Sequence, residues 1–221
     1  MLNVIYEDNH LLVVEKPVNI LSQGDNTNDD DMVNLLKKYL KEKYNKPGNV
    51  FVGLVHRLDR PVGGIMVFAK TSKAASRLSE QVRNKTFKKT YKAVLHGEMK
   101  KKQDNLSDYL YKDKKTNMVS VVNKNHKDAK DAKLSYKTLA SNNGFSIVEI
   151  DLQTGRPHQI RVQFSSRNHP LYGDQRYGKN VNKTGQQIAL WSYKIEIEHP
   201  TKKEKMEFVC EPPNKYPWNM F

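Results

Sequence analysis

Residues 56–60 read His56-Arg57-Leu58-Asp59-Arg60, a single carboxylate set between two guanidinium groups. Neighbouring positive charge keeps an aspartate ionised even where it is partly desolvated. An ionised Asp59 can serve as a nucleophile or a general base, and arginines can grip phosphates through two parallel hydrogen bonds. The same five residues also suit a surface loop with ordinary ion pairs. Gly63-Gly64, just downstream, permits close backbone approach or a positive φ.

A second constellation is Leu152-Gln153-Thr154-Gly155-Arg156-Pro157-His158-Gln159-Ile160-Arg161. It reads as a strand end, a glycine turn and a helix start, where free N–H groups and the helix dipole favour an anion. Arg161 stands about one turn beyond His158 and can project toward the same place. A capped helix start with exposed polar residues would look alike. A third stretch, Arg83, Lys85, Phe87, Lys88, Lys89, Tyr91 and Lys92, interleaves cations with rings, as nucleic-acid surfaces do. Core packing of Tyr91 is the competing reading. The seven histidines are scattered singly, with no metal-binding helix motif, and neither a phosphate loop nor a nucleophile elbow is present. No metal or cofactor is expected.

The elements that must hold these residues follow from the apolar patterning. Strands are predicted over Leu2–Tyr6, Leu11–Glu15, Val50–Val55, Gly64–Ala69, Thr90–His96, Met118–Val122, Leu134–Ala140, Phe145–Leu152, Ile188–Glu198 and Lys205–Cys210. Helices are predicted from Asp29–Asp31 through about Tyr44, from Ser72 (as N-cap) to about Asn84, and from Gly155 to about Arg167 with Pro157 in its first turn. Lys100–Lys133, rich in Lys, Asp and Asn, is expected to contain mobile, solvated loops around the Met118–Val122 strand. Many strands and few helices without βαβ alternation argue an α+β fold with a mixed, mostly antiparallel sheet.

The chain has 221 residues, and its 38 Lys and Arg against 24 Asp and Glu leave a formal net charge of +14. At about 150 residues per domain, a single domain over 1–221 is expected. The 11 Tyr, 7 Phe and apolar runs exclude disorder of the whole chain. The single Cys210 excludes an internal disulfide framework and a cysteine-built zinc site. The polar N-terminus is no signal peptide, and no apolar run approaches the ~18 residues of a membrane span. A cytoplasmic protein with a polyanionic partner, nucleic acid before an anionic membrane, is the expectation.

Taken in order, the segments resemble the RluA-type RNA pseudouridine synthases. The match runs from Glu7-Asp8 and Leu11-Leu12-Val13-Val14-Glu15-Lys16-Pro17 through His56–Arg60, Lys89-Thr90-Tyr91-Lys92-Ala93 and Thr154–Arg161. It continues through His169-Pro170-Leu171-Tyr172-Gly173-Asp174 to Ala189-Leu190 and His199-Pro200. Nearly the whole chain is covered, and the two arginine-rich motifs together are highly specific. Family members commonly carry Ser or Thr where Gly63 stands, and often His where Gln163 or Phe164 falls.

The resemblance implies a cofactor-free isomerase on a central sheet with helices and loops around a catalytic cleft. It would detach uracil from C1′ of a uridine in rRNA or tRNA, rotate it and reattach it through C5. Asp59 matches the catalytic aspartate, Tyr91 the tyrosine packed on the target base, and Arg161 the arginine paired with the catalytic carboxylate. Arg57 matches the residue that enters the RNA as the base flips out. Lys16, His56, Arg60, Arg156, His158, Lys88 and Lys89 complete the expected RNA contacts. A monomer without an obligatory protein partner is expected. An RNA-binding protein without turnover, and a metal-dependent nuclease using Asp59, Asp151 and His158, are the competing readings.

Overall fold

The computed structural model describes residues 2–27 and 29–221. In chain order its elements are β1 (Asn3–Glu7), β2 (Leu11–Lys16), α1 (Met32–Lys43), β3 (Gly53–Leu54), β4 (Gly63–Ala69), α2 (Ser72–Arg83), β5 (Lys88–His96), β6 (Gln103–Lys112), β7 (Val119–Val122), β8 (Lys130–Asn142), β9 (Phe145–Leu152), α3 (Gln159–Ser165), β10 (Leu190–Glu198) and β11 (Lys205–Val209). The fold is α+β, with mostly antiparallel strands. Two compact units emerge: one from the chain up to Lys88 with Ser192–Glu211, the other from Lys89–Trp191 with Pro212–Phe221.

In the first unit, β1 and β4 flank β2, and β3 also pairs with β4. The register of β2 on β4 runs from Leu11↔Ala69 to Lys16↔Gly64. Every residue of β4 is buried, as in a strand covered on both faces, which explains its unbroken apolar run. The Glu7–His10 turn is closed by the Asp8 carboxylate, which accepts the N–H groups of His10 and Leu11. Helix α1 buries Met32, Leu36 and Leu40 at fourfold spacing. Its N-cap is Asp31, which accepts the Asn34 N–H, and Lys41 and Lys43 sit at its dipole-negative end. Helix α2 differs from expectation at its start: the N-cap is Thr71, whose Oγ1 accepts the Ala74 N–H, and Ser72 is the first helical residue. Only Gly53–Leu54 of the expected Val50–Val55 strand pairs.

In the second unit the strand path is β5-β9-β8-β6-β7. Two corrections apply. Lys100–Lys133 holds more than the expected loops and one strand: β7 answers to the expected Met118–Val122 strand, but β6 and the start of β8 lie inside the stretch as well, and β6 pairs with β8 from Gln103↔Lys137 to Leu110↔Lys130. Its alternate residues Leu106 and Leu110 are buried while their neighbours are polar, so one covered face suffices to order a polar sequence. The cover is α3, whose Val162 joins Leu110, Val119 and Ala132 in one cluster, and whose Phe164 meets Tyr136 edge-on with ring centroids 5.3 Å apart. Helix α3 itself is shorter than expected. It starts at Gln159, after a turn over 154–158 in which His158 takes φ +51°.

Candidate active site

In the first unit, the segment carrying Asp59 joins β3 to β4 and is pinned from below. His56 is buried, and its Nε2 accepts the Val67 N–H at 3.0 Å while the ring lies 5.1 Å from that of Phe87. Because Nε2 is the acceptor, the ring is held neutral at that nitrogen. Leu58 is buried, and the Ser22 hydroxyl clamps its backbone on both sides: Leu58 N–H donates to Oγ at 3.0 Å, and Oγ donates to the Leu58 carbonyl at 2.8 Å. The Val62 N–H closes a turn on the Asp59 carbonyl at 2.9 Å. The alternation leaves Arg57 and Arg60 exposed and Asp59 half-buried, while His56 and Leu58 act as roots.

Lys16 is the largest fully buried side chain, with 0% of its surface exposed. Its Nζ donates to the carbonyls of Pro17 at 2.8 Å, Ile20 at 2.6 Å and Arg60 at 3.0 Å. Burial pulls the ammonium down to about 7, with the Asp59 carboxylate opposing and Arg60 adding to the fall. Three carbonyl acceptors call for three N–H donors, which only the charged form has. Lys16 therefore ties the Asp59 segment to the 17–20 loop from a fully buried position, and any effect on RNA would run through the backbone it holds. The Arg60 guanidinium donates to the Asn19 carbonyl at 3.1 Å and the Asp29 carboxylate at 2.7 Å. Gly64 has φ +112°, and a Cβ there would collide with the Ser192 carbonyl, so only glycine serves.

In the second unit, Tyr91 stands on β5 opposite Ile150 of β9 and is buried. Lys89, two residues before it on the same face, lies over the Thr154–His158 turn. Lys88, the last residue of the first unit's leading segment, is exposed, 3.7 Å from Glu196 of the same unit. The turn is built by side chains: Thr154 Oγ1 donates to Gln159 Oε1 at 2.8 Å, the Arg156 N–H donates to the same oxygen at 3.1 Å, and the Arg156 guanidinium pairs with Asp131 at 2.7 Å. His158 Nδ1 lies 2.7 Å from the Tyr177 hydroxyl. That hydroxyl already accepts the Val119 N–H at 3.0 Å. The hydroxyl thus joins the 154–158 turn to the start of β7.

Arg161 is buried, and its Nε and one terminal nitrogen grip both Asp174 oxygens at 2.8 Å. The guanidinium also lies 5.2 Å from the centre of the Tyr177 ring. Asp174 is 1% exposed and accepts two backbone N–H groups as well, from Arg176 at 3.0 Å and Tyr177 at 3.1 Å. Asp174, Tyr177 and Ser22 are positioning residues that no local pattern singled out. Asp174 closes the His169–Asp174 motif, and that was its only sequence signal. Gln163 is fully buried and donates to Asp108 at 2.7 Å.

These local geometries accompany a clear family assignment. A family model described as RNA pseudouridylate synthase matches residues 10–166. The uncharacterized RNA pseudouridine synthase YhcT of Bacillus subtilis (strain 168) is 34% identical over 215 residues, covering 96% of this chain and 68% of that protein. The chain belongs to the RNA pseudouridine synthase family. The synthase is thus an isomerase. Ribosomal large subunit pseudouridine synthase D of Borreliella burgdorferi is 32% identical over 219 residues, 96% of this chain and 66% of that one. Synthase C of Buchnera aphidicola subsp. Schizaphis graminum is 32% identical over 215 residues, 94% and 66%. At the level of fold, the solved structure of human RNA pseudouridylate synthase domain containing 4 superimposes with a TM-score of 0.79 at 20% identity, covering 96% of this chain and 88% of that one.

Proposed function

We propose that this synthase isomerises uridine in ribosomal RNA, with Asp59 as its catalytic carboxylate. The observation that carries the reading is the architecture of residues 56–60. The backbone is locked by Lys16, Ser22 and His56, so that the intervening Arg57, Asp59 and Arg60 face outward on a rigid base. Preorganisation of this kind lets one carboxylate act without reorganisation cost. Two relatives named for the large ribosomal subunit favour rRNA over tRNA. In this reading the uridine leaves its stack, at a cost of a few kcal/mol, and basic side chains offset that cost through its phosphates. Arg57 enters the gap, Tyr91 packs on the base, and Arg161 holds its carboxylate partner charged. Asp59 attacks C1′, attacks C6 or removes the C2′ proton. Arg60, Arg156, His158 and Lys88 serve the RNA, while Lys16 and His56 act from beneath. Residues 1–221 work as one catalytic domain, as a monomer in the cytoplasm.

The test uses RNA carrying tritium on C5 of uracil, with a chelator present. Forming the C1′–C5 bond releases that tritium to water. Wild type should release it from rRNA fractions, and Asp59→Asn should release none while still binding RNA. Arg161→Met should behave as Asp59→Asn does. Release from tRNA alone would move the substrate assignment. Chain cleavage that chelator abolishes would replace the reading with a nuclease.

A further inference from the structure

Within the second unit, Lys89 is a cation whose surroundings, among the described residues, do not explain it. It sits one residue into the second unit on β5, half-buried, with Thr90 and Tyr91 following it into the sheet. Its Nζ lies over the bare Cα of Gly155: a Cβ built there would stand 3.4 Å from the ammonium. Among the described residues no carboxylate pairs with it, whereas the neighbouring cations Arg156 and Arg161 are matched to Asp131 and Asp174. Burial, unopposed by any acidic neighbour, pulls its pKa down. A desolvated ammonium without a counter-charge costs stability, and is retained where a negative charge arrives from outside. Alternation along β5 sets Lys89 and Tyr91 on the same face, about 7 Å apart along the strand.

The chemistry of the reaction says which charge that is, granted the reading above that Tyr91 packs on the target base. Heterolysis of the C1′–N1 bond leaves its electron pair on uracil, whose negative charge spreads over N1, O2 and O4. C1′ is held meanwhile as the ester of Asp59 or as the glycal left by loss of its C2′ proton; C5 then bonds to C1′ as the carboxylate leaves or the C2′ proton returns, the C5 proton departs to solvent, and N1 gains a proton. The anion exists only between those steps. We propose that the Lys89 ammonium stabilises the departing uracil anion through its carbonyl edge, making Lys89 a catalytic residue for glycosidic cleavage and not a phosphate contact. Gly155 keeps the space beside the ammonium open. A group that meets charge only as it develops accelerates the step without tightening substrate binding.

The experiment compares full-length wild type, Lys89→Met, Lys89→Gln and Lys89→Arg under single turnover with enzyme saturating. One substrate carries uridine and the other 5-fluorouridine at the target, with loss of the N-glycosidic bond read by nucleoside chromatography. Fluorine disperses the leaving charge by itself, so it substitutes in part for the lysine. Lys89→Met and Lys89→Gln should slow cleavage of the uridine RNA by about 10²–10³-fold, and of the fluorinated RNA clearly less. RNA affinity and its salt slope should stay unchanged, and Lys89→Arg should recover part of the rate. Methionine removes a desolvation cost, so its thermal midpoint should hold or rise. An unchanged saturating rate would overturn the assignment, as would equal losses on both RNAs. Weaker binding with a salt slope reduced by about one and a normal saturating rate would make Lys89 a phosphate contact instead. A wild type inactive on every RNA would sink the synthase reading itself, an outcome distinct from failure of Lys89 alone.

Discussion

At the scale of single residues, the candidate site is governed by groups that touch nothing but other protein groups. Asp174 is the clearest. It holds two nitrogens of Arg161 and two backbone N–H groups while 1% exposed. Breaking one side of a buried pair costs about 3–5 kcal/mol because the other charge is stranded. Asp174→Asn keeps the shape and one acceptor but loses the charge. It should cost about 2–4 kcal/mol in urea unfolding and lower kcat with little change in RNA affinity. A full-rate Asp174→Asn enzyme would show that Arg161 needs no such anchor. Lys16 follows the same logic: an ammonium spent on three carbonyls orders a loop more firmly than any one of them could. The residue types at 56–61 and 154–161 announced chemistry from the sequence, whereas Ser22, Lys16 and Asp174 gained their roles from partners 13 to 44 residues away.

At the scale of elements, pattern and structure agree where one periodicity dominates. Strand β9 runs over Phe145–Leu152, and α1 turns on Asp31, because each has an uninterrupted apolar period and a clear boundary residue. They part where two boundary residues compete. Thr71 and Ser72 are both good caps, and the side chain that reaches the Ala74 N–H is that of Thr71. Thr71→Ala should therefore destabilise the protein by about 1 kcal/mol and Ser72→Ala by a few tenths at most, read from the urea midpoint. Equal losses would refute the assigned cap. Helix α3 is the stronger case. Pro157 suits a first helical turn, yet His158 adopts a left-handed conformation and the helix begins after it. The hydrogen bond between Tyr177 and His158 and the Thr154–Gln159 clasp hold that turn open, and Tyr177 lies well outside the segment.

At the scale of the whole molecule, the +14 charge suits a polyanionic substrate and puts more than one cation within reach of some buried carboxylates. Glu7 shows the consequence. Its carboxylate, 7% exposed, accepts Lys43 at 2.7 Å, Lys70 at 2.7 Å, Tyr39 at 2.9 Å and Tyr44 at 2.6 Å. Burial alone would raise its pKa, but the hydrogen bonds from Lys43, Lys70, Tyr44 and Tyr39 outweigh burial and hold it at about 2 against an ordinary 4.5. The folded value lies below the unfolded one, so this contribution is complete above about pH 4.5 and is lost as pH falls toward 2. The shift is worth about 3 kcal/mol at neutral pH. Glu7→Gln should lower stability at pH 7 by that order and flatten the decline of the urea midpoint between pH 4.5 and 2. A parallel decline in both proteins would remove Glu7 from the acid response.

The sequence by itself determined the family, the α+β class and the two arginine-rich segments, because these rest on residue types and on periods shorter than one element. Tertiary structure alone decided how those segments are held. A clamp such as Ser22 on Leu58, or Asp174 on Arg161, joins residues far apart in the chain, and no local pattern records which of several equivalent serines or aspartates will be its partner. The same reason covers the Lys100–Lys133 stretch. Its polar composition hid β6 and the start of β8, which are ordered by burial of alternate residues such as Leu106 and Leu110, the latter packed with Val162 of α3.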